Sequence, residues 1–73
     1  VLKYSLFNNA NLRNANFTGS NLHGADLTGA DLTGVIFKSC NIEGANFRGA
    51  IITDADFRDA NIKKAKNLVL IQN

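Results

Sequence analysis

Few side chains in this 73-residue chain could do chemistry: a single cysteine, Cys40, a single histidine, His23, three serines, and a modest set of charged groups. A nucleophilic or redox-active thiol needs a cationic, partly exposed setting. Cys40 instead falls in a register otherwise held by alanine, where a buried, inert thiol is expected. His23 has neither a second histidine nor a cysteine at ligand spacing, so it reads as a surface residue. Asp54, Asp56 and Asp59 lie close together, as do Asp26 and Asp31, but neither group has the ligand series of a calcium loop. Gly29 and Gly34 are spaced like half of a phosphate-binding loop, yet Val35 stands where that loop needs lysine, and no helix follows. Ser5, Ser20 and Ser39 lack a base and an orienting acid. Asn16-Phe17-Thr18 matches a glycosylation sequon, but its asparagine belongs to a recurrent pattern. The expectation is a protein with no catalytic, cofactor-binding or metal-binding residues, and hence not an enzyme.

The recurrent pattern has a period of five. All nine alanines occupy positions divisible by five, and Ser5, Ser20, Val35 and Cys40 complete that register. Two residues after each small residue up to Ala60 comes a large apolar one: Phe7, Leu12, Phe17, Leu22, Leu27, Leu32, Phe37, Ile42, Phe47, Ile52, Phe57 and Ile62, with Leu2 at the start; after Ala65 that place is taken by Asn67. Asn or Asp lies mostly between them, as at Asn21, Asp26 and Asn41, and all six glycines share one further register. Five steps drift off a helical stripe and reverse the face of a strand, so the chain must turn once per repeat. In an extended segment the small and the large residue point the same way, and a corner then restores that direction. Each repeat thus sends two residues inward and three outward. Gly, Asn and Asp tolerate the backbone angles of tight corners, which accounts at this stage for their outward registers. Helices have no place between residues 2 and 65.

Composition agrees. One small domain is all that 73 residues allow, and 45% apolar with 19% charged residues is too apolar for disorder and too interrupted for a membrane span. A lone cysteine excludes an internal disulfide. The chain begins with Val and shows no targeting segment, which suggests a mature piece or a module of something longer.

Repeats such as Ala25-Asp26-Leu27-Thr28-Gly29 and Ala30-Asp31-Leu32-Thr33-Gly34 closely resemble those of the pentapeptide-repeat family, over residues 2 to 65. The resemblance implies an all-β fold, a right-handed quadrilateral parallel β-helix with four repeats per coil and about three coils here. Stacking every twentieth residue supports four sides independently: it places Phe17, Phe37 and Phe57 in one column, whereas a three-sided stack mixes Phe with Leu or Ile in every column. Residues 1–66 are expected to form the solenoid. Residues 67–73, with the apolar run Leu68 to Ile71, are expected to form a C-terminal cap or the start of a following segment.

The departures point to function. Ile36, Ile51 and Leu6 stand where Asn or Asp is the rule. Ile36, Lys38, Ile51 and Arg58 form the candidate interaction surface, with Lys38 and Arg58 one coil apart on one side and Lys63, Lys64 and Lys66 gathered near the end. An apolar and basic patch suits a protein partner with acidic groups. With Tyr4 as the sole exposed aromatic, the stacking platforms of single-strand nucleic-acid binders are missing. The favoured function is a rigid protein-protein interaction or scaffold module that takes no small-molecule substrate, does not enter a membrane, and could associate end to end. The resemblance offers two alternatives: a DNA mimic that binds DNA gyrase, which a net charge of +2 and a short chain disfavour, and an accessory domain of a larger enzyme. It also implies, for a cyanobacterial chain, the cytoplasm or the thylakoid lumen.

Overall fold

The structure is a computed structural model and describes residues 2–70. Parallel bridges join residues 20 apart, Leu6 to Asp26, Asn11 to Asp31, Asn16 to Ile36 and Asn21 to Asn41, and the first three of these four faces pair again one coil higher at Asp26–Asn46, Asp31–Ile51 and Ile36–Asp56. Four five-residue repeats therefore close one coil, and each face is a single bridged residue with its two neighbours. The molecule measures 32 × 25 × 21 Å.

One repeat shows why the coil holds. In Ala25 to Gly29, every N–H has a partner. Ala25 N–H closes the preceding corner on the Leu22 carbonyl at 3.0 Å, and Asp26 N–H reaches down to the Ser5 carbonyl at 2.9 Å. Leu27 and Gly29 donate upward to the Asn46 and Arg48 carbonyls at 2.8 and 2.9 Å. The fifth N–H, that of Thr28, donates to Oδ1 of Asp26 at 3.0 Å. A backbone donor left without such a partner is costly when buried, so the repeat is a closed unit. The same bond from the N–H two residues on recurs at Asn11, Asn16, Asn21, Asp31, Asn41, Asn46 and Asp56.

This corrects the reading of the Asn/Asp register. None of these eight residues has a positive φ; they lie on the flat faces and serve as acceptors for the corner that follows. The left-handed backbone falls two positions after the large residue, at Asn9, Asn14, Asp54 and Asp59 and at all six glycines, and also at Tyr4 and Ser39; outside that register only Asn67 adopts it among the described residues. With φ positive only at the third residue of a four-residue corner such as Leu27–Ala30, the corners follow the type II pattern. Glycine is demanded most where the coil below crowds it: a Cβ on Gly29 or Gly34 would collide with the side-chain oxygen of Asn9 or Asn14.

The inward registers form the core. Leu22, Leu27, Leu32, Phe37, Ile42 and Phe47 are buried together with Ala25, Ala30, Val35, Cys40 and Ala45. Phe7, Leu12, Phe17, Ile52, Phe57 and Ile62 pack against them from the outer coils and stay partly exposed. Phe37 lies between Phe17 and Phe57, ring centroids 5.8 and 5.0 Å away and planes within 13° and 10° of parallel.

A short 3-10 turn, Ile62–Lys64, corrects the expectation of no helix in this region. Lys64 occupies the left-handed corner register, where its predecessors in the column are Tyr4, Gly24 and Gly44. A side chain without a short polar group gains little there to offset the strain, which Tyr4 accepts, whereas at Lys64 the 3-10 turn avoids it. The coil is repaired locally. Gly44 donates to the Lys64 carbonyl at 2.8 Å, and Ile42 donates to Oδ1 of Asn61 at 2.7 Å where its equivalents use a backbone carbonyl. Lys66 then bridges Asn46 in regular register. The expected cap over 67–73 falls only partly within the described residues; Ile71 and Asn73 lie outside them.

Candidate functional site

Ile36 sits on its face between Asn16 below and Asp56 above, and is half-buried. Lys38 and Arg58 occupy successive coils of the corner that follows, both exposed. Ile51 bridges Asp31 on the preceding face and is 50% exposed. Leu6, the remaining apolar substitute, is 78% exposed near the N-terminal end.

The structure alters the charge of this patch. Arg58 folds back on Asp56, Nε donating to Oδ1 and Oδ2 at 3.0 and 3.1 Å and Nη2 donating to Oδ2 at 2.7 Å. The guanidinium, followed by the Arg58 N–H, holds the Asp56 carboxyl below the usual carboxylate range, and Asp56 in turn raises Arg58. The basic face expected from the spacing of Lys38 and Arg58 is thus partly neutralised from within. Lys38 enters no ion pair among the described residues. On the neighbouring corner Arg13 pairs with Asp31 at 3.2 Å.

Sequence reasoning missed Asp56 as the partner of Arg58 and missed the corner N–H groups. The signal for the latter was present: where Leu6, Ile36 and Ile51 replace Asn or Asp, the N–H groups of Asn8, Lys38 and Thr53 have no side-chain oxygen to receive them, and none makes a hydrogen bond among the described residues. Lys38 is the one of these with a cationic side chain on the same residue.

The other chemistry-bearing residues are dispersed. Cys40 is buried, its Sγ donating to the Phe17 carbonyl at 2.8 Å, and burial pushes its thiol up from the ordinary value. His23 lies 3.9 Å from Glu43 and edge-on to Tyr4, whose ring also covers Gly24. Among the described residues no group of His, Cys, Asp and Glu side chains could hold a metal ion. Lys63 lines an open hollow of about 250 Å³ with Ile62, Leu68 and Leu70 at the C-terminal end. Among the described residues no helix is long and apolar enough to cross a membrane.

Comparison with known proteins agrees with the geometry. No curated protein sequence matches the chain. Among solved structures, the pentapeptide repeat protein Rfr23 of the cyanobacterium Cyanothece 51142 superposes with a TM-score of 0.78 at 28% identity, over 80% of this chain and 40% of its own. A pentapeptide repeat protein of the Arabidopsis thaliana thylakoid lumen gives 0.67 at 30% identity, over 84% of this chain and 53% of its own. HetL of Nostoc sp. strain PCC 7120, a pentapeptide repeat protein involved in heterocyst differentiation regulation, gives 0.57 at 32% identity, over 80% of this chain and 30% of its own. The chain thus spans between 30% and 53% of these proteins. The family model described as Pentapeptide repeats matches residues 1–34 and 35–66 in eight copies. With the 20-residue coil and the match over almost its whole length, the chain belongs to the pentapeptide-repeat family.

Proposed function

We propose that this chain is a non-catalytic interaction or scaffold module: about three coils of a right-handed quadrilateral β-helix whose outer side chains are held at fixed spacing for a protein partner. The observation that carries this reading is the internal closure of the repeat. With the backbone donors of a regular repeat used inside the solenoid and the core filled by the two inward registers, the outer faces are free to vary, and two of them carry Ile36 and Ile51 where the structural rule calls for Asn or Asp. An apolar side chain there costs a corner bond, so it needs a reason outside the fold. Among the relatives, HetL is described by a regulatory role, which supports a binding function.

The test is a pull-down with the intact chain against the double substitution Ile36→Asp with Lys38→Glu, after circular dichroism has shown that the fold survives. Loss of a specific partner supports the reading. Undiminished recovery of every specific partner removes this face.

A further inference from the structure

We propose that the Ile36–Lys38 segment receives a carboxylate side chain from an acidic segment of a protein partner, the carboxylate taking the place of the missing Asn or Asp oxygen. This rests on the reading of the chain as an interaction module and names the chemistry of its partner.

At eight repeats the N–H of the second corner residue donates to a side-chain oxygen at 3.0 to 3.2 Å, supplied by the residue two positions earlier. On the face of Ile36 this bond is made directly below, from Thr18 to Asn16, and directly above, from Arg58 to Asp56. Between them, Ile36 has no oxygen to give, and the Lys38 N–H is without a protein partner among the described residues. The Lys38 ammonium is also without an ion pair among the described residues, and Arg58 spans both oxygens of Asp56. Two donors of one residue, one of them charged, therefore flank a half-buried isoleucine on a rigid middle coil, anchored by the fully buried Phe37. A carboxylate is the acceptor that satisfies both, and charge-assisted bonds of this kind are the stronger ones. Ile36 adds an apolar contact, so the matching segment pairs an acidic residue with an aliphatic neighbour. The vacancies at Asn8 and Thr53 lack the cation and are expected to take water.

The full chain, labelled with nitrogen-15, is titrated with the synthetic peptide acetyl-Leu-Asp-Leu-Glu-amide while the amide resonances are followed. The Lys38 amide is expected to shift most among the corner amides, with Thr53 and Asn8 nearly unmoved. Ile36→Asp supplies the oxygen internally and repels the peptide, so it is expected to weaken binding about tenfold or more, while Ile51→Asp leaves it unchanged. Lys38→Gln keeps the N–H and removes the charge, and is expected to weaken binding and its salt dependence together. A silent Lys38 amide, an equal response at Thr53, or an undiminished response in Ile36→Asp overturns the proposal. If the pull-down partner still depends on this face while the Lys38 amide stays silent, the carboxylate site fails and the interaction module stands; loss of both sinks both.

Discussion

An asparagine or aspartate on a face of this solenoid does the work of a backbone carbonyl. Its Oδ1 receives the one N–H of the repeat that neither the coil above nor the coil below can reach, so removing it should be felt although the residue is partly exposed. Asn41 carries more than its own corner, since it also donates to Asn21 at 3.3 Å and accepts from Asn61 at 2.9 Å. Asn41→Ala is expected to destabilise the fold by about 1–2 kcal/mol in chemical denaturation. At Asp31 the same role brings pH dependence. The Thr33 hydroxyl and then the Thr33 N–H hold its carboxyl below the ordinary value, with a smaller contribution from Arg13. Because the folded value is depressed, the stabilisation is present above the unfolded value of about 4 and is lost as pH falls through the folded one. The melting temperature should therefore drop as pH is taken from about 6 towards 2. Asp31→Asn keeps the acceptor and should lessen that drop; a melting curve series as steep as the parent's would reject this account.

The corner is the element on which the coil depends, and its cost varies with what lies beneath. Gly19 and Gly34 share a left-handed backbone, φ 73° and 71°, but a Cβ on Gly19 meets nothing within 4 Å whereas one on Gly34 meets Asn14. Gly19→Ala should cost about 1 kcal/mol for the backbone alone, and Gly34→Ala about 1 kcal/mol more, the excess vanishing when Asn14→Ala is combined with it. A double-mutant cycle in urea measures the difference. The corner also marks the limit of what could be read in the chain. The registers and the twenty-residue columns were legible because Ala25, Leu27 and their equivalents recur without interruption. The role of Asp26 and Asn41 was not, because Asn and Asp suit a left-handed corner and an acceptor position equally well, and residue type alone does not separate the two. The 3-10 turn hid in plain view at Lys64, the one lysine in a register that, Tyr4 apart, holds glycines and small polar residues up to that point. On the candidate surface, Ile36 and Ile51 stood out as breaks in the rule, while the pairing of Arg58 with Asp56 depended on a side-chain conformation that spacing does not fix.

At the scale of the molecule, each bridge ties residues 20 apart, so no coil is stable by itself and order is greatest where a coil has neighbours on both sides. Among the described residues, the fully buried side chains all belong to the stretch from Leu22 to Ala45. Hydrogen exchange should accordingly be slowest at the amides of Leu27, Leu32 and Phe37 and faster towards Leu12; uniform protection from end to end would contradict a stack that frays from its ends. Phe37→Ala removes a ring held on both sides and is expected to cost about 3–5 kcal/mol, enough to unfold much of so small a protein, against less than about 0.5 kcal/mol for exposed Thr53→Ala. Thermal melts of the two variants make the comparison.

The bond from a corner N–H to a face side chain has an evolutionary consequence. Asparagine and aspartate offer it the same oxygen, so a mutation between them changes the electrical character of a face while leaving its architecture alone. At Asn11, Asn16 and Asn46 the Nδ2 makes no hydrogen bond among the described residues. Aspartate at those three sites, each removing one unit, would carry the formal net charge from +2 to −1 with every corner still closed. Lineages built on this repeat can thus exchange one class of partner for the opposite one by single-base steps, since AAU and AAC differ from GAU and GAC in one letter, and need no refolding on the way.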